Sequence, residues 1–514
     1  MLNLRNLSRA VVVGGGAAGW FAALTLRRMF APHVEVRVIE SPADGATDTV
    51  GADEGGLLNL VEALRGNGIR LDEFVRETGA TLNLGISYEG WRTGAEDDCY
   101  YHLFGRPGLQ EIDWTERGFH PLLSGMVHEG IELHRYIPGF ASIASNASQQ
   151  QTKAMLQLGE SSGLSTSFHF DTHKLAEYLC RVAVSRGVVH QQARVEELVC
   201  DAGGMACAVK LEGVEEALEL ELLIDASGLA RLGIGNKLGV RWHSFSEYLL
   251  PDRAVPFHMP NPQPNPSLVT RAIAMPAGWM WQIPLAERVG AGYVFSSAHT
   301  DETKVIDEIR CRIGPGIEPM RALKFESGHF AQAWVGNIMA VGLASGFVEP
   351  LEATSIGQLL EQLRNFERIV TACDGVVLGH LIDGFNEANA RCWAGIRDFL
   401  RMHYDCPRRD TDFWRDAAGL PLPPSYAELR ECFQQRTPRL IDVQNYVAHG
   451  WRGIFHPVNW LFVAAPLGVV SREAAATELA SLPVASRKRV AVYIHRMREL
   501  GAAGNFSCKE EPSR

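Results

Sequence analysis

The chain has 514 residues, of which 46% are hydrophobic and 21% charged, and it carries a formal net charge of −11. Such a composition supplies ample core, excludes global disorder, and at roughly 100–200 residues per unit suggests about two to four structural units. A net negative protein without Lys/Arg clusters is poorly suited to phosphate backbones or anionic membranes, so neither nucleic acid nor a membrane is an expected partner.

In chain order, MLNLRNLSRAVVV has no signal-peptide core ending in a cleavage site. Val11-Val12-Val13 reads as a buried parallel strand and runs directly into Gly14-Gly15-Gly16-Ala17-Ala18-Gly19. The following WFAALTLRRMF has helical spacing with arginines near its end, and Val34 to Glu40 alternates as a second strand. Together these form a βαβ opening. FHFDTHKLAEYLCRVAVSRG has an Asp N-cap and a Gly stop, and feeds a predicted hairpin from Arg194 to Leu222 and the strand-like LLIDASG. Residues 270–300 show strand patterning, and Pro260 to Ser267 reads as a surface loop. The longest uncharged run, Ser327 to Val348, contains His329, Gln332, Asn337 and four glycines, so it reads as strand and turn. After about Leu359 the segments EQLRNFERIV, ANARCWAGIRDFLRMHY, SYAELRECFQQ and RKRVAVYIHRMREL are helical in period, and NFSCKEEPSR reads as a frayed tail. Ten cysteines between Cys99 and Cys508 include no C-x-x-C pair; reduced thiols in a cytoplasm are the simplest reading.

The glycine turn meets the conditions of a dinucleotide fingerprint: a strand before, a helix after, and Glu40 ending the next strand. Gly14 makes the tight turn, Gly16 admits a pyrophosphate to the helix N-terminus, and Gly19 lets the helix pack on the strand. Glu40 suits a ribose 2′-hydroxyl and disfavours a 2′-phosphate. NAD and FAD share this pattern. The nearest second copy, GIGNKL (Gly233 to Leu238), has leucine where the last glycine belongs, so one tightly held nucleotide is expected.

Several blocks then occur in order: VVVGGGAAGWFAA, YYHLFG, FHFDTHKLAEYL, LIDASGL, GWMWQIP, GYVFSS, VGLASGFVEPLEATSIG and RRDTDFW. In this respect the chain resembles the flavin-dependent tryptophan halogenases; the match is weakest after about residue 420. Its most specific element is GWMWQIP, in which Trp279, Trp281, Ile283 and Pro284 fit a WxWxIP signature. On its own, that segment would pass for a buried strand with two aromatic core residues.

The resemblance implies an α/β fold: a Rossmann-like FAD-binding domain of the flavin monooxygenase type with an added, mainly helical substrate module. The expected boundaries are 1–375, including a substrate-side insertion at about 95–160, and 376–514. It implies FAD, used as FADH2 from a separate flavin reductase, and a halide ion oxidised to hypohalous acid. That acid travels through a tunnel to a lysine, which delivers halogen to a small aromatic substrate; homodimer formation is left open by the sequence. Glu352 falls on the family's catalytic glutamate, while Leu343 and Ile356 match flavin contacts alongside Gly14, Gly16, Ala17, Ala18, Gly19 and Glu40. Thr354 and Ser355 match the halide loop. His102 and Phe104 match the indole pocket, with Trp279 and Trp281 between flavin and substrate, and Phe455 and Asn459 as wall and cap.

The chain also departs from the family. Anchored on Ile86 and Trp91, the lysine position holds Asn83, and the first lysine in the chain is Lys153. Asparagine is a neutral donor and a poor nucleophile. Ala353 and Ser355 replace serine and glycine beside Thr354, and a G-E-A-T strap appears as Ala52-Asp53-Glu54-Gly55. The tyrosine pair and glutamate that hold free tryptophan are not evident. A halogenase retaining Glu352, a halide-independent flavin monooxygenase or oxidase, and a flavin-binding pseudoenzyme are therefore the competing expectations.

Overall fold

The computed structural model describes residues 1–42, 54–105, 121–137, 139–157 and 163–503. Ala52 and Asp53 of the strap, parts of the 95–160 insertion and the tail from Asn505 lie outside the described residues.

The β-branched run at the N-terminus forms the strand Arg9–Val13, and Ala17–Met29 follows as a helix. Glu35–Glu40 then returns parallel to the first strand, with Val12 opposite Val38. These strands are interior members of a six-stranded sheet. Its order is Trp334–Val335, Ile338–Ala340, Leu222–Asp225, Arg9–Val13, Glu35–Glu40, Val189–Gln192; all are parallel except the first. Val11, Val12, Leu222 and Ile338 are essentially inaccessible, as expected of strands covered on both faces. The predicted Asp cap is present: Asp171 accepts from the backbone N–H groups of His173 and Lys174 at the start of Thr172–Ser185.

One local expectation changes. Arg194 to Leu222 is a three-stranded meander of Val195–Cys200, Ala206–Leu211 and Leu218–Glu219 followed by the sheet strand, rather than one hairpin. GIGNKL, the near-copy of the fingerprint, lies in a π-helical turn, Leu232–Lys237, whose Gly233 N–H donates to buried Asp225.

A second sheet of seven strands carries the site. Its order is Leu323–Lys324, Arg253–Met259, Val289–Phe295, Gly278–Pro284, Thr270–Met275, Gly85–Glu89, Cys99–Leu103, antiparallel except where Thr270–Met275 meets Gly85–Glu89. All seven residues of Gly278–Pro284 are buried. A small sheet places Ser167–Phe170 between Glu54–Gly55 and Thr81–Asn83, so Gly55 and Thr81 both pair with His169. The long helices Thr354–Ala372 and Gly379–Tyr404 pack together, and the shorter Pro457–Ala464 lies against both Gly379–Tyr404 and Cys99–Leu103. Among the described residues no helix is long and apolar enough to cross a membrane.

Candidate functional site

The glycine turn has the geometry its spacing predicts. Gly14 sits at φ +120°, and a Cβ there would lie 2.2 Å from the Ala226 carbonyl oxygen. A Cβ on Gly19 would lie 1.8 Å from the Gly14 carbonyl oxygen, whereas one on Gly16 would meet nothing. Gly16 also caps the helix Ala17–Met29 without a side-chain acceptor, leaving its first N–H groups free for an anion. Glu40 lies over Gly15 and binds His190 Nε2 at 2.7 Å. These residues fit an FAD pyrophosphate and ribose.

An apolar pocket is lined by Trp281, Ile283, Leu343 and Phe347, with Asn83, Thr270, Glu54 and Ser355 as its polar members and Lys324 as its cation. Such a wall suits a flavin ring. Ser355 lies at the N-terminus of Thr354–Ala372, which starts after Ala353 in left-handed backbone (φ +53°) and has no side-chain cap. An alanine there is strained, and the uncapped N–H groups favour an anion. Thr354 is fully buried and its Oγ1 has no hydrogen-bond partner among the described residues; Ile356, two residues on, is also buried. Asn83 is 1% exposed. Burial pushes the Glu54 carboxyl up to about 7.

The second cavity, of about 400 Å³, has His102, Phe104, Phe455 and Asn459 in its wall, and Arg28–Glu367, Arg364–Glu361 and Arg452–Glu62 ion pairs towards solvent. Behind it is a buried network. Opposed pairing of Gly85–Glu89 with Cys99–Leu103 puts Ile86, Tyr88, Tyr100 and His102 on one face. Glu352, fully buried, accepts the Tyr88 hydroxyl and lies 2.9 Å from His102 Nδ1 and 3.0 Å from His403 Nε2.

Hydrogen-bond roles fix the protons. Asn459 Oδ1 accepts the His456 N–H at 2.7 Å, so its amide nitrogen donates to His102 Nε2 at 2.8 Å. His102 therefore carries its proton on Nδ1 and donates to Glu352. His403 Nδ1 donates to the Phe399 carbonyl at 2.9 Å, so the contact between Nε2 and Glu352 must itself contain a proton. Burial pushes the Glu352 carboxyl up, but the hydrogen bonds from His102 and His403 outweigh it and hold it at about 2. Glu352 is thus a carboxylate that reaches the cleft through His102.

Trp281 faces the apolar pocket; Trp279 Nε1 donates to Glu349 at 2.8 Å, and neither tryptophan lines the cleft. Glu349 is fully buried, accepts the Tyr404 hydroxyl on the same oxygen, and is pushed up to about 7 by burial. Tyr88, His403 and Glu349 escaped the reading of the sequence. A histidine on the buried face of a helix, one turn from Phe399, was the available signal for His403.

Comparisons with known proteins extend over nearly the whole chain. The tryptophan halogenase family model matches residues 9–481. The uncharacterized protein y4xG of Sinorhizobium fredii is 47% identical over 97% of each chain, and the tryptophan 7-halogenase KtzQ of a Kutzneria species is 30% identical over 89% of each. The solved tryptophan 6-halogenase SttH of Streptomyces toxytricini superposes with a TM-score of 0.81 at 26% identity, covering 98% of both chains. The chain belongs to the tryptophan halogenase family of FAD-dependent oxidoreductases.

Proposed function

We propose that this protein halogenates an indole or another small aromatic ring, using reduced FAD delivered by a separate flavin reductase, O2 and a halide ion. The observation that carries this reading is the buried Glu352 carboxylate behind His102 in the wall of a cleft that also contains Phe104 and Phe455. Reduced FAD, when bound, supplies the electrons that activate O2 and so allow halide to be oxidised.

In this proposal Gly14, Gly16, Ala17, Ala18 and Gly19 cradle the pyrophosphate, Glu40 takes the ribose, and Leu343 and Ile356 contact the flavin. The uncapped N–H groups at Thr354 and Ser355 hold the halide. Phe104 and Phe455 hold the ring. Electrophilic attack makes the ring cationic, and a fixed negative charge in a dry site stabilises that cation. The ring must then lose a proton. His102 Nε2 takes it once the Asn459 amide swings away, and Glu352 stabilises the imidazolium as an acid behind a histidine does elsewhere.

Asn83 supplies only a neutral hydrogen bond at the lysine position. If charge assistance is worth roughly 3–4 kcal/mol, its loss slows halogen transfer by roughly 10²–10³. This departure, with Ser355 in the halide loop, favours a second reading: a halide-independent flavin monooxygenase or oxidase. The test supplies the protein with FAD, a flavin reductase, NADH, O2 and bromide over a panel of indoles and phenols, and weighs the products. Brominated product that depends on Glu352 supports halogenation. Hydroxylated product without bromide supports the second reading, and bound flavin without product supports a pseudoenzyme.

A further inference from the structure

At the edge of the six-stranded sheet one histidine is tied to the nucleotide side of the molecule. Parallel pairing of Val189–Gln192 with Glu35–Glu40 sets His190 beside Val38, so its ring shares a face with Glu40. His190 Nε2 stands 2.7 Å from Glu40 Oε2, and its Nδ1 stands 3.7 Å from Cys180 Sγ on the helix Thr172–Ser185. Trp20, on the helix that starts at the glycine turn, packs edge-on against the same ring, with centroids 5.1 Å apart. The imidazole is thus held from three elements at once.

These contacts fix the direction of each proton. A carboxylate only accepts, so Nε2 carries the hydrogen and donates to Glu40. In the neutral ring Nδ1 is then bare. Burial, followed by the Glu40 charge, pushes the Cys180 thiol up, so the sulfur keeps its proton and donates it to Nδ1. Thiol, imidazole and carboxylate form one chain of donors directed at Glu40, and hydrogen bonds in series reinforce one another. The Glu40 side chain is folded over Gly15, where a Cβ would stand 2.4 Å from Oε1. It is still 33% exposed, beside the uncapped start of Ala17–Met29, so a ligand reaches it from solvent.

We infer that His190 is a positioning residue for FAD: with Cys180 and Trp20 behind it, it holds Glu40 aimed at the ribose hydroxyls of the adenosine half. A glutamate without such a brace has several rotamers to lose on binding; one already fixed has few. Neither His190 nor Cys180 needs to touch the nucleotide, because both act through Glu40.

The inference rests on the FAD reading of the glycine turn. It is tested by the dissociation constants of the full chain for FAD and for ADP, which has the ribose and pyrophosphate but no flavin. His190→Phe keeps a ring against Trp20 and removes the donor; it should weaken both ligands by the same factor, about tenfold. His190→Gln, whose amide nitrogen can stand where Nε2 stood, should restore most of that loss. Glu40→Ala should weaken binding, and adding His190→Phe to it should weaken it no further. If the phenylalanine variant does not fold, His190→Leu takes its place in each comparison. Wild-type affinity in His190→Phe, a glutamine variant as weak as the phenylalanine one, or losses that add in full in the double variant overturn the positioning role. A wild-type chain that binds neither FAD nor ADP overturns the FAD reading and the inference with it.

Discussion

The two cavities of this molecule solve opposite electrostatic problems. The apolar pocket is walled by Trp281, Ile283, Leu343 and Phe347 with the neutral polar groups Asn83 and Thr270, and its ionisable members are Lys324 and Glu54, whose carboxyl burial raises to about 7. The cleft is backed by the Glu352 carboxylate, held in place by Tyr88, His102 and His403. A flavin ring needs shape and directed hydrogen bonds; a ring turning cationic needs a fixed counter-charge. The two cavities have separate polar groups, so substitutions that touch one should be silent in the other.

The largest expected effect is at the charged end. Glu352→Gln keeps the shape and removes the charge, and should reduce halogenated product by roughly 10²–10³, the usual cost of losing one preorganised electrostatic group. FAD affinity should be unchanged; a matching loss of affinity would show that the two cavities are not separable. On the flavin side, Gly19→Ala forces a methyl to within 1.8 Å of the Gly14 carbonyl oxygen. It should abolish FAD retention and destabilise the fold by about 1–3 kcal/mol, read by urea unfolding.

Smaller effects probe the proton logic. The Glu352 carboxyl is depressed from 4.5 to about 2, so its stabilisation is present above 4.5 and lost as pH falls through about 2. His403→Gln removes one cause of that depression. The gap in unfolding free energy between wild type and variant should be open at pH 6 and close towards pH 2.5. Glu349 behaves in the opposite sense: raised from 4.5 to about 7, its favourable contribution is complete below 4.5 and lost as pH rises through about 7. Glu349→Gln should therefore flatten the decline in Tm between pH 5 and 8; an equal decline in both proteins would place the titrating group elsewhere.

The flavin side was the more legible half in the sequence. Strand, Gly14-x-Gly16-x-x-Gly19, helix and Glu40 are contiguous, and their spacing encodes the backbone contacts directly. The helical C-terminal third was legible for the same reason, because period 3.6 over long segments is a local signal. Glu352, His102, Phe104, Phe455 and Asn459 came from the resemblance, and the structure brings Glu352, His102 and Asn459 into one hydrogen-bonded chain. Tyr88 and His403 were not legible. They lie on a strand and a helix more than 300 residues apart, and only the packing of Gly379–Tyr404 against the sheet brings them to one carboxylate. The Arg194 to Leu222 segment was misjudged because turn residues around Gly213 mark a reversal but do not count the strands beyond it.

Product mass with bromide present tests the central claim most directly. Given FAD, a flavin reductase, NADH, O2 and an indole, the wild-type protein should form a carbon–bromine bond that Glu352→Gln abolishes. Hydroxylated product that forms equally well without bromide, with or without Glu352, would contradict it.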